Sequence, residues 1–192
     1  MRANLFCGER VRLAACTPDD LPTIARWYEH SAFPRLLDAA PARPKSGAEL
    51  ARWLEARQGA TDGVLFGVRP LDGDDLLGLV ELDGILWAHG TGWLSIGFGD
   101  PARWGQGYGT EALGLALAFA FDELNLHRVQ LTVFAYNERA IALYRKLGFA
   151  QEGVYREFLR RDGARHDMLL FGLLRREWEA GWAGARHEEA AG

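Results

Sequence analysis

The stretch Arg103–Thr110, RWGQGYGT, places glycine at three alternate positions, and the nearly apolar run EALGLALAFAF, residues 111–121, follows it directly. Glycine lets the backbone approach a ligand closely, and the first N–H groups of a helix can hold a phosphate without a cationic side chain. We therefore expect a turn that leads into a buried helix over residues 111–123. The start of that helix could also bind an anion. A turn that only connects a strand to a helix explains the glycines equally well.

Two familiar phosphate-binding motifs do not fit this stretch. A dinucleotide fingerprint has the spacing Gly-x-Gly-x-x-Gly, whereas the glycines here are Gly105, Gly107 and Gly109. A P-loop needs a lysine after its last glycine, and the chain has lysine only at Lys45 and Lys146. A phosphate at this turn would therefore depend on backbone N–H groups.

The composition is that of an ordinary globular chain. Of the 192 residues, 48% are hydrophobic and 25% are charged, and the formal net charge is −4. The negative charge argues against a nucleic-acid partner, which usually requires a basic patch, and it leaves room for a cationic substrate such as an amine. No apolar run reaches the roughly 18 residues that suggest a membrane span, so we expect no membrane partner.

The length predicts a single domain, which we place at residues 1–182, followed by a flexible tail of small and polar residues at 183–192. Cys7 and Cys16 lack the spacing of a metal or redox motif. The start of the chain lacks the pattern of an export signal. We therefore expect reduced thiols, no metal and a cytoplasmic location.

Hydrophobic periodicity predicts the element order β-α-α-β-β-β-α-β-α-β-β. The strand patterns cover residues 9–16, two stretches within 64–87, residues 91–98 and 127–135, and two stretches within 152–174. The helix patterns cover residues 18–30, 47–58, 111–123 and 137–148. Ser46 and Glu49 form a capping box before the second helix, whereas residues 31–45, rich in proline and alanine, are predicted to be a loop.

This order is neither a regular βαβ repetition nor an all-β chain. It predicts an α/β (α+β) fold with a mixed, mostly antiparallel, twisted sheet of about seven strands and helices on both faces. Four tryptophans are expected in the core or along a cleft: Trp27, Trp53, Trp87 and Trp93.

Three segments in a consistent order resemble the GNAT family of N-acetyltransferases. They are WLSIGF at residues 93–98, WGQGYGTEAL at 104–113 and LNLHRVQLTVFAYNERAIALYRKLGFAQEG at 124–153, and the similarity extends over about residues 64–178. Within the family, the chain is most similar to the ribosomal-protein alanine N-acetyltransferases of the RimJ/RimL type and to the bacterial spermidine N-acetyltransferases. The resemblance also implies that the two central strands splay apart.

The resemblance implies that acetyl-CoA is the cosubstrate. The residues that it assigns to coenzyme A are Ile96, Gly97, Phe98, Trp104, Gly105, Gln106, Gly107, Tyr108, Gly109, Thr110, Asn137, Ala140 and Tyr144. The glycine turn would hold the pyrophosphate, and the strand residues would bind pantetheine through backbone groups and help to polarise the thioester carbonyl. The helix of Asn137 and Tyr144 would lie beside the thioester.

The family signature has Gln or Arg at the position of Trp104. The resemblance therefore carries over the backbone cradle from Gly105 to Thr110 but no polar side chain at the first position. Thr110 is expected to cap the helix, with or without its hydroxyl near a phosphate. Asn137 has the same two interpretations, as a cap alone or as a cap that also approaches coenzyme A.

Tyr144 matches the family tyrosine that is proposed to protonate the departing thiolate. A phenol with a pKa near 10 and a thiol near 8.5 differ by only about 1.5 pKa units, so this transfer is feasible. The alternative is an aromatic residue that only packs beside its neighbours.

Glu81 is the candidate base, because its strand should border the acceptor cleft and its apolar neighbours should raise its pKa. A solvated, outward-facing glutamate is the alternative. Ser95 is a weaker candidate. Without a strong base, an α-amine with a pKa near 8 suits the reaction better than a lysine-like amine near 10.4, because far more of it is neutral.

The expected function is transfer of acetyl from acetyl-CoA to a primary amine, on a protein or peptide N-terminus or on a small molecule, by direct attack in a ternary complex. A polyamine (spermidine-type) or aminoglycoside acetyltransferase is one alternative, and a non-catalytic coenzyme A sensor is another. The protein is expected to act as a monomer or homodimer.

Overall fold

The computed structural model describes residues 4–181. The strands are β1 Val11–Ala15, β2 Val64–Pro70, β3 Gly78–Leu86, β4 Thr91–Phe98, β5 Arg128–Phe134, β6 Ala150–Arg161 and β7 Ala164–Leu174. The α-helices are α1 Leu21–Glu29, α2 Ala32–Leu37, α3 Gly47–Gln58, α4 Tyr108–Ala118 and α5 Glu138–Lys146, and residues 175–181 are also helical. The predicted tail at 183–192 lies outside the described residues, and the single-domain boundary at 182 stays a prediction.

The strands form one sheet in the order β1-β2-β3-β4-β5-β7-β6. Every neighbouring pair is antiparallel except β4 and β5, which run parallel. The parallel pairing joins only Thr91–Trp93 of β4 to Arg128–Gln130 of β5. Beyond these residues the two strands separate. The predicted seven-strand, mostly antiparallel sheet with a splayed central pair is confirmed.

The sheet separates two apolar clusters, because successive residues of a strand point to opposite faces. On β3, Val80 and Leu82 belong to the larger cluster, which also contains the buried face of α4 and Tyr144 of α5. Leu79 packs against the smaller cluster, which is built by α1, α2 and α3. Helices therefore cover both faces, as predicted.

The loop predicted at residues 31–45 contains the helix α2. Phe33 is buried and packs its ring 5.4 Å from that of Trp27, so tertiary contacts hold this short segment in a helix. Pro34 is tolerated because it lies in the first turn, where its missing N–H has no intrahelical acceptor. The loop prediction was therefore wrong for these residues, and the packing of Phe33 is the physical reason.

Two further predictions need correction. The helix expected at residues 111–123 begins at Tyr108, because Gly107 before it takes a left-handed φ of +87°, and its last turn, Phe119–Glu123, is a π-helix. Trp87 is neither in the core nor in a cleft, since it is 53% exposed and its indole N–H donates to the Thr61 carbonyl. The capping box of Ser46 and Glu49 is present as predicted.

No helix among residues 4–181 is both long enough and apolar enough to cross a membrane.

Candidate active site

A cleft of about 610 Å³ opens where β4 and β5 separate, bounded by α2 and by the first turns of α4 and α5. The structure brings almost all the predicted site residues to this cleft: Ser95, Ile96, Gly97, Phe98, Trp104, Gly105, Gln106, Gly107, Tyr108, Gly109, Thr110, Asn137, Ala140 and Tyr144. Glu81 is the exception and is not one of the lining residues.

The glycine turn enters α4 through two left-handed residues, Gly105 with φ +75° and Gly107 with φ +87°. A side chain is strained at such angles, which explains the glycines there. Arg10 braces the turn from outside the cleft, since its guanidinium donates to the Gln106 carbonyl at 2.9 Å. Glu111, in the first turn of α4, in turn accepts from the Arg10 backbone N–H at 2.9 Å.

The first N–H groups of α4 have no intrahelical acceptor, as at the start of any helix. They belong to residues that line the cleft, Tyr108, Gly109 and Thr110. Thr110 was expected at the N-cap position, and this prediction is wrong because the left-handed Gly107 occupies that position. Thr110 is instead the third helical residue, and it lines the cleft.

Trp104 closes the turn against the end of β4, since its indole N–H donates to the Phe98 carbonyl at 2.9 Å. The Arg139 guanidinium lies over the same ring, 3.8 Å from its centroid, which is a cation–π contact. Trp104 thus occupies the signature's first position with a side chain that positions a cation from α5.

Three cations line this end of the cleft: Arg103, Arg139 and Lys146. Within residues 4–181 none of the three forms an ion pair with a carboxylate. No pattern in the sequence predicted these three as site residues, because α5 and the turn meet only in the folded chain. Together with the helix N–H groups, they give this end of the cleft the charge that an anion requires.

Tyr144 is 6% exposed and packs its ring against Phe149 and Phe171. No group among the described residues hydrogen bonds its hydroxyl, and burial raises its pKa to about 12. The phenol is therefore neutral at physiological pH. Its pKa lies about 3.5 units above that of a thiol near 8.5, whereas an ordinary phenol lies only about 1.5 units above it. Burial therefore makes proton transfer from Tyr144 to a thiolate less favourable.

Asn137 caps α5, since its side-chain oxygen accepts from the Ala140 backbone N–H at 3.2 Å. The predicted cap is therefore present, and the asparagine also lines the cleft.

Glu81 lies on β3, one strand away from the cleft. Its carboxylate is 3.0 Å from the Arg57 guanidinium of α3, and its side chain is 13% exposed, so it is not a solvated surface group. Burial raises its pKa to about 7, although Arg57 opposes the shift. Glu81 pairs with Ser95 of β4, so the two side chains share a face of the sheet and Ser95 stands between Glu81 and the cleft.

Asp38 is the one carboxylate that lines the cleft in the described part of the chain. It follows α2 directly, is exposed, and its carbonyl accepts from the Arg161 guanidinium. Asp38 was not predicted as a site residue, because it falls in the segment predicted to be a loop. Among residues 4–181, no group of three His, Cys, Asp or Glu side chains is placed to hold a metal ion.

Comparison with known proteins agrees with this geometry. The family model described as an acetyltransferase (GNAT) domain matches residues 10–150. An uncharacterized N-acetyltransferase of the SPbeta prophage, YokL of Bacillus subtilis, is 27% identical over 179 residues, which cover 93% of this chain and 98% of that protein.

Two further proteins are similar over different lengths. The putative ribosomal N-acetyltransferase YdaF of Bacillus subtilis is 39% identical over 75 residues, or 39% of this chain and 41% of that protein. The crystal structure of spermidine N-acetyltransferase from Vibrio cholerae, in complex with CoA and spermine, superimposes with a TM-score of 0.80 at 26% identity, covering 88% of this chain and 97% of that one. The family match, the relatives and the fold together show that this chain is an N-acetyltransferase and belongs to the GNAT acetyltransferase family, as the sequence predicted.

Proposed function

We propose that this enzyme transfers acetyl from acetyl-CoA to a primary amine, by direct attack in a ternary complex. One observation carries the proposal: the gap between β4 and β5 leads directly to the first turn of α4 within a single cleft. An extended thioester with an anionic end fits such a cleft, because its amide groups can pair with unpaired strand backbone and its phosphates with helix N–H groups.

The donor would lie with its pyrophosphate at Tyr108, Gly109 and Thr110, where the backbone N–H groups of α4 are free to donate. Arg139, held over Trp104, supplies a cation next to this position. The separated edge of β4, at Ile96–Phe98, would bind pantetheine and direct an N–H at the thioester carbonyl oxygen, where negative charge develops during attack.

In the proposed reaction the amine nitrogen forms a bond to the carbonyl carbon, and the carbon–sulfur bond breaks as the thiolate leaves. Tyr144, neutral because burial raises its pKa to about 12, would donate a hydrogen bond to the sulfur. Full proton transfer to a thiolate is uphill from so weak an acid, so we assign Tyr144 mainly to stabilising the developing charge on sulfur.

Glu81 and Ser95 supply a route for the proton lost by the amine. Ser95 lines the cleft, and in the reaction its hydroxyl would accept that proton while it passes its own to Glu81, its cross-strand partner. A carboxylate with a pKa of about 7 suits this role near neutral pH.

The acceptor is best assigned as an α-amine, such as a protein or peptide N-terminus. At pH 7.4 roughly a fifth of an α-amine with pKa near 8 is neutral, against about a thousandth of an amine near 10.4. A polyamine acceptor is the second candidate, because the similar Vibrio cholerae enzyme was solved with spermine.

Release of thiol from acetyl-CoA, measured against peptides with free N-termini, polyamines and aminoglycosides, tests the proposal. We expect turnover with at least one α-amine. Turnover with polyamines alone would replace the acceptor assignment. Tight coenzyme binding by calorimetry without transfer to any amine would instead identify a sensor, and the absence of both binding and transfer would overturn the proposal.

Tyr144→Phe tests the assignment of the tyrosine. We expect kcat to fall by about 100-fold, as for loss of a hydrogen-bond donor to a developing charge, while the Kd for coenzyme A stays unchanged, because the ring remains packed against Phe149 and Phe171. An unchanged kcat would remove Tyr144 from the mechanism.

A further inference from the structure

The peptide group between Gln106 and Gly107 presents different atoms to the two sides of the glycine turn. Its carbonyl oxygen, on Gln106, accepts from the Arg10 guanidinium at 2.9 Å. Arg10 is not one of the residues that line the cleft, whereas Gln106 and Gly107 both line it. This peptide is trans, so its C=O and N–H bonds point in opposite directions. The Gly107 N–H is therefore directed away from Arg10, towards the cleft.

The Gly107 N–H is an unpaired donor. Within residues 4–181 no backbone or side-chain group accepts a hydrogen bond from it. It directly precedes the N–H groups of Tyr108, Gly109 and Thr110, which have no intrahelical acceptor. The turn thus adds one donor to those that α4 presents at the cleft, and a bound anion can accept from all of them.

Glycine makes the orientation of this peptide easy to reverse. Gly107 has a φ of +87°, and glycine adopts positive and negative φ about equally well. Reversal would aim the Gln106 carbonyl oxygen at the bound anion, which repels it. Arg10 opposes the reversal, because its guanidinium holds that oxygen on the outer side of the turn. A Cβ atom on Gly107 would lie 3.0 Å from Arg10 Nη1, so the guanidinium also packs directly beside the glycine.

The backbone of Arg10 is fixed from two sides. Its N–H donates to Glu111 of α4 at 2.9 Å, and its Nε lies 3.7 Å from the other oxygen of the same carboxylate. Its carbonyl accepts from the Leu71 N–H at 3.0 Å, just after β2. A Cβ atom on Gly8 would lie 1.9 Å from the Glu111 carboxylate, so the chain before β1 closes tightly around that side chain. The guanidinium therefore reaches the turn from a firmly held position.

We propose that Arg10 is a positioning residue for the donor. By holding the Gln106 carbonyl on the outer side of the turn, it aims the Gly107 N–H at the pyrophosphate of coenzyme A. Arg10 itself would not touch the donor. The inference rests on the proposed function, because it requires the glycine turn to bind that pyrophosphate.

Two donors separate this positioning from a general loss of structure. Acetyl-CoA carries the pyrophosphate, whereas S-acetylpantetheine presents the same thioester and ends before the phosphates. Arg10→Ala removes the guanidinium, and Arg10→Lys keeps a positive charge and N–H donors. Arg12→Ala is the matched control, because Arg12 of β1 also donates to a backbone carbonyl, that of Gly73 at 3.2 Å, in the segment between β2 and β3.

We expect the Kd for coenzyme A, measured by calorimetry, to rise about tenfold in Arg10→Ala, as for loss of one hydrogen bond to a charged group. Arg10→Lys should recover part of the affinity. The KM for acetyl-CoA should rise by a similar factor, while kcat and the KM for the acceptor stay constant. The kcat/KM for S-acetylpantetheine, measured at high concentrations of this donor, should not fall. Arg12→Ala should behave as the wild type in every assay.

An unchanged Kd for coenzyme A in Arg10→Ala would overturn the proposal. An equal fall of kcat/KM for the two donors would also overturn it, because the effect would then not depend on the pyrophosphate. The thermal midpoint of Arg10→Ala shows whether the variant is folded, and the Kd of Arg10→Lys decides the question if it is not.

Salt distinguishes an oriented peptide from a remote positive charge. Between about 0.1 M and about 1 M salt the Debye length falls from about 10 Å to about 3 Å, so the effect of a remote charge is screened. We expect the difference in Kd between the wild type and Arg10→Ala to persist at the higher salt concentration, and its disappearance would overturn the positioning role. Failure of the proposed function is a separate result. The wild type would then bind no coenzyme A, or would bind it without transfer to any amine, and in the second case the Kd values still test Arg10.

Discussion

At the scale of single residues, Glu81 shows how burial and pairing oppose each other. Its side chain is mostly buried, and the removal of water favours the protonated carboxyl, while Arg57 at 3.0 Å favours the carboxylate. Burial is the stronger effect and raises the pKa to about 7, from an ordinary value near 4.5. The folded protein therefore holds this proton at pH values where the unfolded chain has lost it.

This difference predicts a pH dependence of stability. Between about pH 4.5 and 7 the folded state binds more protons at this site than the unfolded state, so the contribution to the free energy of unfolding is fully present below this range and decreases as pH rises through it. The decrease should amount to about 3 kcal/mol. Urea unfolding of the wild type and of Glu81→Gln at several pH values measures it as the difference between the two proteins.

Glu55→Gln removes an exposed carboxylate of α3 and controls for the loss of one charge. A difference between the wild type and Glu81→Gln that does not vary with pH would contradict the raised pKa. In activity assays, Glu81→Gln should also lose the rise of kcat/KM near pH 7, if the carboxylate accepts the proton of the amine through Ser95.

At the scale of elements, the end of β4 packs closely against helix α1 at Gly99. A Cβ atom at Gly99 would lie 1.9 Å from the ring of Trp27, which is buried in the smaller apolar cluster. No side chain can occupy that space unless the ring moves. The glycine is therefore required by close packing, in contrast to Gly105 and Gly107, which are required by backbone angles.

Gly99→Ala should destabilise the protein by about 1–3 kcal/mol, because the added methyl group overpacks this contact. Gly114→Ala is the matched control, since its Cβ would meet nothing within 4 Å and its position is inside α4. It should stabilise by roughly 0.5–1 kcal/mol, as alanine does in a helix interior. Chemical denaturation gives both values, and the same sign for the two variants would contradict this account.

At the scale of the whole molecule, the ion pair between Asp20 and Arg69 joins the helical layer to the sheet. Arg69 of β2 donates to both carboxylate oxygens of Asp20 at 2.8 Å, and Asp20 also accepts from the Thr17 backbone N–H. The two side chains are only 6% and 11% exposed. Removing one partner would leave a buried charge without compensation.

Asp20→Asn should therefore lower the free energy of unfolding by about 3–5 kcal/mol. Asp74→Asn removes the partner of Arg12 in a pair whose carboxylate is 93% exposed, and this control should change stability by less than about 1 kcal/mol. Thermal or urea unfolding compares the two. Equal decreases in the free energy of unfolding for the two variants would show that burial does not determine how much each ion pair contributes to stability.

Local signals in the chain were sufficient for most of the fold. Alternating and helical periodicities predicted the strands and four of the helices, and the capping box of Ser46 and Glu49 was predicted to the residue. The glycine spacing, the GNAT resemblance and the segment around Tyr144 predicted a coenzyme A cleft, and the structure places these residues together. Such signals are readable because each depends on neighbours within a few positions of the chain.

The errors arose where distant segments decide the outcome. α2 exists because Phe33 packs on Trp27. Trp87 is exposed in the turn that follows β3. Glu81 is one strand from the cleft because β4 lies between. The cations around Arg139 also converge only in three dimensions. None of these contacts leaves a pattern along the chain.

The sequence by itself determined the family, the order of the strands and the position of the glycine turn, because these depend on local periodicity, backbone freedom and motif spacing. Only the tertiary structure decided the charges of the cleft, the raised pKa values of Glu81 and Tyr144 and the position of Asp38. The physical reason is that burial and electrostatic potential are sums over groups far apart in the chain, and folding alone sets the distances between them.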